Sequence, residues 1–344
     1  MTPPPGPDAS AIVLNRNGRD YVEEAVESLL TQDLDDLEVI VVDNGSTDGS
    51  DDLLEDRFGV RIRLLRNGRN LGFGAGNNAG MRVARGRYLL LLNNDAVAAP
   101  SMVREMVAVA EADPRTGMVA ARVLDHERRD VIDTVGHLLY PDGLNRGRGR
   151  LERDHGQYAA CRRALFPSGA AALYRRAMLD EIGLFDERFF LYGDDAELGL
   201  RGRVAGWSCA LAPRAVAYHR YSRTVGAYSS VKAFYVERNR VLVLFKLFPF
   251  HLILLSPAYT ALRLGLQAYG AVSGRGAAAR LARERSVPYL AWLTLRAYAS
   301  AARALPAVLR ERWRYRRIRR LDTRGFRRLL AEFRLTAREA ALKD

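Results

Sequence analysis

Three short stretches put acids where apolar runs stop. RYLLLLNNDAVAAP, Arg87 to Pro100, carries four leucines into Asn93, Asn94 and Asp95. VVDNGSTDGS, Val41 to Ser50, ends a β-branched run on Asp43 and continues with Asn44, Gly45 and Ser46. FFLYGDDAELGLRGRVAGW, Phe189 to Trp207, sets Asp194 and Asp195 behind an aromatic lead-in that includes Tyr192. A buried strand that ends on a carboxylate can hold one charged group rigidly at a site. An acid followed by Asn-Gly-Ser adds a tight turn and backbone N–H groups, a set able to read the N3–H of a pyrimidine and hold nearby oxygens. Turn chemistry, with Asp48 or Ser50 capping the next helix, accounts for the same residues, and both readings can hold together. For Asp194 and Asp195 the competing reading is helix capping. One capping carboxylate would suffice, and an acid against an apolar wall can serve as a general base. Glu197 and Arg201 stand four residues apart on one helix and form a local pair. His219, after the alternating segment AVAY, gains meaning if it shares a cleft with Asp95 and Asp195.

The elements that must position these groups alternate. Ala11–Leu14, Leu37–Val42, Val60–Leu65 and Tyr88–Leu92 read as strands; Tyr21–Leu30, Ser50–Phe58 and Gly76–Ala84 read as helices. Nearly continuous apolar strands between helices predict a mostly parallel α/β sheet covered on both faces. Ligands of such sheets bind beyond the carboxyl ends of the strands, which puts Asn15 to Asn17, Asp43 to Ser46 and Asn93 to Asp95 on one edge. A helix over Ser101–Glu111, a strand over Met118–Val123, a loop excursion or small hairpin over Asp125–Gln157, a strand-like run over Ala164–Leu173, a helix over Arg175–Ile182 and a helix from Asp194 or Asp195 through Ala205 follow. NLGFGAGNNAG, Asn70 to Gly80, lets backbone approach a ligand through Gly72 and its neighbours before an Asn-rich helix start that includes Asn78. It is no dehydrogenase fingerprint: its glycines are not spaced GxGxxG, and the turn after the first strand is Asn15-Arg16-Asn17-Gly18.

The 344 residues carry a net charge of +13, unevenly. From Tyr235 onward there are 23 Lys and Arg against 7 Asp and Glu, so a nearly neutral body precedes a basic C-terminal region. Such a region seeks polyanions, nucleic acid or an anionic membrane surface, unless it is simply a solvated face. RERWRYRRIRR, Arg310 to Arg320, interleaves Trp313 and Tyr315 with the charges. The apolar run from His251 to Val272 is interrupted by Pro257, Arg263 and Gln267 and suits the membrane interface better than a span. Two distant cysteines, Cys161 and Cys209, argue against a disulfide scaffold or thiolate zinc site and fit a reducing compartment. The first nine residues read as a disordered leader without signal-peptide features. Residues 10–230 read as one α/β body and 231–344 as a helical, basic C-terminal region.

In their order, the VVDNGSTDGS turn, NLGFGAGNNAG, LLNNDA, the block SGAAALYRR…GLFDERFFLYGDD, His219 and KAFYVERNR (Lys232 to Arg240) resemble the family 2 nucleotide-sugar glycosyltransferases of the GT-A fold, a Rossmann-like α/β arrangement. More narrowly they resemble the bacterial rhamnosyltransferase-like members. The resemblance covers about Ser10 to Pro249 and implies that 10–230 is the catalytic domain, with 10–100 its nucleotide-sugar half and 101–230 its acceptor half. It implies a nucleotide-sugar site of Asn15, Asn17, Asp43, Asn44, Gly45, Asn70, Gly72, Asn78, Asn94 and Asp95, with Asp43 on the base. It also implies an acceptor side of Ser168, Gly169 and Tyr192. Asn93 stands where the family has the first acid of Asp-x-Asp, so Asp95 alone, with His219, would hold a divalent metal, Mg²⁺ or Mn²⁺. Asp194 and Asp195 match the family's acidic pair, with Asp195 the general base. The expectation is a metal-dependent, inverting transfer of one sugar, or a few, from a dTDP- or UDP-sugar, dTDP-L-rhamnose first. The acceptor would be a lipid-linked or cell-envelope glycan at the inner face of the cell membrane. The chain lacks the QxxRW element of processive synthases. The rivals are a basic nucleic-acid-binding protein, which leaves the acids unexplained, and a nucleotidyltransferase. No nucleic-acid partner is expected.

Overall fold

The computed structural model describes residues 6–220, 229–274 and 286–343. Residues 1–5 of the leader and Tyr221 to Thr224 lie outside the described residues. The first half alternates β1 (Ala9–Asn15), α1 (Val22–Leu30), β2 (Leu37–Asp43), α2 (Ser50–Phe58), β3 (Arg63–Arg66), α3 (Phe73–Val83) and β4 (Tyr88–Asn93). Next come β5 (Ala96–Ala98), α4 (Met102–Glu111), β6 (Thr116–Asp125), β7 (Ile132–Thr134), β8 (His137–Leu139), β9 (Asn145–Gly147), β10 (Ala171–Arg175), α5 (Arg176–Ile182), α6 (Asp194–Val204) and β11 (Ser208–His219). Val60, read from sequence as strand, is fully exposed in a 3-10 turn ahead of β3. The run from Ala164 becomes strand only at Ala171.

The main sheet runs β3-β2-β1-β4-β10-β6-β11-β5, with β7 on β6. It is mixed, which corrects the mostly parallel expectation. The pairs β1/β2, β2/β3, β1/β4 and β6/β11 are parallel, but β10 enters antiparallel between β4 and β6, and β5 lies antiparallel on β11. Apolar continuity reports burial on both faces, whereas direction is set by the connections. The sheet's side chains alternate between two cores: Ile12, Val42, Leu89 and Leu91 face one, Val13, Val41, Leu90 and Leu92 the other. The first core also receives the C-terminal helices.

Those helices are α7 (Ser230–Leu247), α8 (Phe250–Ser273), α9 (Val287–Tyr315), α10 (Thr323–Glu332) and α11 (Ala337–Leu342). They return to the sheet rather than trail from it: Leu242, Leu247, Phe248, Val308, Phe326 and Phe333 are buried in the first core. Part of the Arg310–Arg320 cluster is internal. Arg312 and Arg319 donate to the carbonyls of Phe245 and Leu247 at the end of α7, and Arg320 pairs with Glu181. Among the described residues no helix is long and apolar enough to cross a membrane.

A buried ammonium fastens this region to the sheet domain. Lys246 Nζ contacts Asp186 at 2.5 Å, Glu197 at 2.9 Å and Glu311 at 2.7 Å, joining α7, α6, α9 and the loop before α6. Glu197 and Arg201 form the expected pair, at 2.8 Å, but wholly buried. Burial opposes charge on Lys246, yet the surrounding carboxylates raise its pKa. Replacing Lys246 by Met leaves three carboxylates around a missing cation. We expect a loss of about 3–5 kcal/mol, read as a fall of several degrees in the thermal midpoint, with Glu311→Gln costing less.

Candidate active site

The strand ends supply one side of the site. In the β1/β2 and β1/β4 registers Asn15 pairs with Asp43 and Leu14 with Asn93, so all three polar ends share one edge. Asp43 is buried. Its Oδ2 accepts from Gly45 N and Ser46 N, both at 3.1 Å, while its buried Oδ1 has no hydrogen-bond partner among the described residues. A carboxylate held by two backbone donors with one oxygen to spare is suited to a ring N–H. Asn15 ties the edge together, donating to Ser50 Oγ at 2.8 Å and accepting from Asn94 Nδ2 at 2.9 Å. Asn17, at φ +50°, accepts from Thr47 N. Gly45 has φ +75°, and a Cβ there would meet the Arg69 backbone at 2.6 Å, so that turn requires glycine.

A cavity of about 530 Å³ opens beside this edge. Asn44, Asn70, Gly72, Asn94, Asp95, Ser168, Gly169, Tyr192, Asp194, Asp195 and His219 all line it. Asn15, Asn17, Asp43 and Gly45 flank it without lining it, and Asn78 lies elsewhere. Asn78 is spent on structure: its amide donates to Phe185 O and Glu187 Oε1 and accepts from Phe185 N. Asn44 also works structurally, donating to Asn70 Oδ1 and Gly72 O and accepting from Asn67 and Leu71 N. Gly72 is where the halves meet: a Cβ would sit 2.3 Å from Phe190 O.

Asp95 and His219 come together through pairing register. Asp95 sits between β4 and β5, and Ala96 pairs with His219 across the antiparallel β5/β11 ladder. The result is His219 Nε2 at 3.2 Å from Asp95 Oδ1. The other ring nitrogen, Nδ1, lies 2.7 Å from Asp133 Oδ2, and Asp133 is itself held by Arg150 at 2.7 Å. Burial disfavours a charged imidazole, but hydrogen bonds to Asp133 and Asp95 outweigh it and raise the His219 pKa to about 10. Asn93 Nδ2 also reaches Nε2, at 3.3 Å.

The opposite wall carries Asp194 and Asp195. The simple capping reading fails: the N-cap of α6 is Gly193, at φ +76°, and it makes no side-chain cap. Asp195 holds its rotamer by accepting from Ala196 N at 2.8 Å and, weakly, from Gly169 N at 3.5 Å. Asp194 is buried, its Oδ2 without a hydrogen-bond partner among the described residues. Burial first, and repulsion from Asp195 second, raise its pKa to about 8. The loop leading to the pair is strained, with Phe190 and Tyr192 both at φ +62°. Asn239 of α7 clamps it, its buried amide donating to the carbonyls of Phe189, Leu191 and Tyr192 at 2.9, 2.9 and 2.6 Å.

Sequence reading missed Asp133, His137, Arg146, Arg150 and Arg240, all of which line the cavity. Four of these lie in the 125–157 excursion, whose three-residue strands are too short for periodicity to register. His137 stacks on Phe166 with ring centroids 4.8 Å apart, and burial holds its pKa below the usual histidine value.

The raised Asp194 pKa fixes a sign. The folded chain holds that proton up to about pH 8, while an unfolded aspartate releases it near 3.8, so rising pH between those values costs stability. Asp194→Asn removes the cost. Its thermal midpoint is expected to exceed that of the unaltered chain, by more at pH 8.5 than at pH 5 in matched melts.

Residues 10–183, half of the chain, match the family model described as Glycosyl transferase family 2. At 32% identity over 64% of its length the chain is similar to Uncharacterized protein y4gI of Sinorhizobium fredii, although the match spans only 25% of that longer relative. It is also similar, at 27% identity, to N-acetylglucosaminyl-diphospho-decaprenol L-rhamnosyltransferase of Mycobacterium tuberculosis, over 60% of this chain and 74% of that one. Among solved structures it resembles the mannosyltransferase PcManGT from Pyrobaculum calidifontis, at a TM-score of 0.52, 22% identity and 87% coverage of both chains. That likeness identifies the mixed sheet as GT-A-like. With the family model spanning the strand ends that build the cavity, the chain belongs to glycosyltransferase family 2.

Proposed function

We propose that this chain transfers one sugar, with inversion, from a nucleotide-sugar to a lipid-linked or cell-envelope glycan, working peripherally at the inner face of the cell membrane. The observation that carries the reading is that Asp195 and the Asp95–His219 pair line one cavity directly beside the Asp43 edge. Asp43, with its spare acceptor, suits the N3–H of uracil or thymine. The named L-rhamnosyltransferase relative favours dTDP-L-rhamnose as donor, with a UDP-hexose as the other choice.

The residues fit a divalent cation. Asp95 Oδ1 and His219 Nε2 stand 3.2 Å apart at the cavity wall and would be its two protein ligands, with His219 giving up its Nε2 proton to the ion. Asp133 on Nδ1 keeps Nε2 turned toward Asp95, as carboxylates behind metal-binding histidines do. No cluster of three or more His, Cys, Asp or Glu suited to a metal occurs among the described residues, so phosphate and water oxygens would have to complete the shell of an ion held by Asp95 and His219. PcManGT was solved with GDP-Man and Mn²⁺, which supports a divalent ion here. Such an ion, when bound, would offset charge on the departing diphosphate.

Asp195 supplies the proton chemistry. It takes the proton of an acceptor hydroxyl as that oxygen bonds to the anomeric carbon, while the bond from this carbon to the β-phosphate oxygen breaks on the opposite face. The products are the inverted glycoside and a nucleoside diphosphate. Asp194, held protonated by burial, keeps a second negative charge away from the base.

The nucleic-acid rival is disfavoured because it gives Asp43, Asp95, Asp194 and Asp195 no role and because Arg312 and Arg319 are used internally. Nucleotidyl transfer is separated by product: nucleoside diphosphate supports this reading, and pyrophosphate would replace it. Asp195→Asn is expected to lower kcat about 10²–10⁴-fold, with donor affinity by calorimetry nearly unchanged; near-normal turnover would remove Asp195 from the mechanism. Asp133→Asn is expected to weaken Mn²⁺ binding about 10–100-fold, measured by titration in the absence of donor.

A further inference from the structure

Helix α8 is amphipathic the wrong way round for a helix bathed in water. Its one charged residue, Arg263, is completely buried, donating to Asp142 at 2.8 Å and to Glu237 at 2.8 and 3.1 Å. Arg263 and Arg240 overcome the effect of burial and hold Glu237 down at about 2, so this knot stays ionised. Every exposed position from Phe250 to Val272 is apolar, and six of them are large: Phe250, Leu254, Leu255, Leu262, Tyr269 and Val272. Over 24 residues this makes an uncharged stripe about 36 Å long. Isolated exposed leucines need no explanation, but a continuous face of them does.

Helix α9 adds the complementary half. Trp292, Leu295, Leu309 and Trp313 are exposed along it, and Arg296, Arg303 and Arg310, spaced seven apart, run beside them, also exposed. Its single acid, Glu311, is turned inward to Lys246 and Arg188. The exposed face of α9 therefore carries cations and no anions, with a tryptophan near each end. Both helices dock on α7 through the same carboxylate: Arg263 of α8 and Tyr298 of α9 each bond to Glu237.

We infer that the outward faces of α8 and α9 are a docking surface for an anionic lipid bilayer, with the helices lying in the interface and the arginines at headgroup level. An uncharged stripe with flanking arginines and tryptophans has the composition the interface selects. A second copy of this chain is the poorer occupant, because an isologous contact through α9 would set arginines against arginines. The surface is also continuous with the active site. Helix α8 packs on α11, and Ala340 and Lys343 at that end line the cavity. Arg146, another lining residue, holds that segment by donating to Glu339 O and Lys343 O. A lipid-linked acceptor lying in the bilayer would thus meet the cavity beside the surface that anchors the enzyme. That last step rests on the proposed transfer to a lipid-linked glycan, whereas the docking surface does not.

The test uses the full chain and sedimentation with vesicles of phosphatidylcholine, with and without phosphatidylglycerol. Binding should require phosphatidylglycerol. The double substitution Leu254→Glu and Leu262→Glu should lower partitioning about 100-fold, with the melting temperature and donor hydrolysis in solution unchanged. Replacing Arg296, Arg303 and Arg310 by Gln should cost about five-fold per arginine. Absence of vesicle binding by the unaltered chain, or full binding by the double variant, overturns the inference. So does a dimer in analytical ultracentrifugation that the same double variant dissolves, since the face would then belong to a second copy. Vesicle binding without donor turnover would sink the proposed sugar transfer and leave the surface standing; turnover without vesicle binding would overturn the surface and the peripheral placement and leave the sugar transfer standing.

Discussion

The site depends on one antiparallel pairing. Strand β5 is three residues long, yet its ladder with β11 sets Ala96 opposite His219 and so brings Asp95 within 3.2 Å of that ring. A one-residue slip would turn His219 to the other face of the sheet and leave Asp95 without its partner. Asp133 reinforces the arrangement from β7, a strand attached to β6 at the edge of the main path. Asp95, His219 and Asp133 are thus supplied by three separate parts of the chain. Their charges make sense only together: the imidazole is buried, and the two flanking carboxylates raise its pKa to about 10.

Buried charge also decides what the C-terminal region is. By composition it is a basic extension. In the folded chain its first helix turns Asn239, Arg240 and Lys246 toward the body and Glu237 toward α8 and α9. Asn239 holds the carbonyls of the strained 189–192 loop, and Lys246 neutralises Asp186 and Glu197 around the base of α6. The loop that presents Asp194 and Asp195 is therefore shaped by residues that follow it by more than forty positions. Removing the C-terminal helices would release the loop that carries Asp194 and Asp195.

Strain and desolvation concentrate at the same place. Phe190, Tyr192 and Gly193 have positive φ, and Asp194 keeps a proton that water would remove. Both features cost stability, and both lie within six residues of the carboxylate that faces the cavity. Such local conflict, embedded in an otherwise consistent fold, is what a functional site exacts from its surroundings.

Much of this was legible in the chain order. The three strands ending in Asn15, Asp43 and Asn93 to Asp95 could be read because apolar runs stop abruptly at polar residues, and parallel strands necessarily present those ends on one edge. Glu197 and Arg201 could be paired because helical spacing is local. Strand direction could not be read, since burial on both faces gives the same apolar run whichever way a strand points; hence β10 and β5 enter antiparallel against expectation. Nor could Asp133 and His137 be found, in an excursion whose strands are too short to carry a period. Asn78 looked like a ligand contact by its motif, and its amide proved to be consumed by Phe185 and Glu187. Sequence by itself determined the alternation of elements, the polar edge and the acids at the strand ends, because those follow from periodicity and near neighbours. Only tertiary structure decided that His219 meets Asp95, that Asn239 clamps the 189–192 loop and that the sole charge of α8 points inward, because each depends on contacts between segments far apart in the chain.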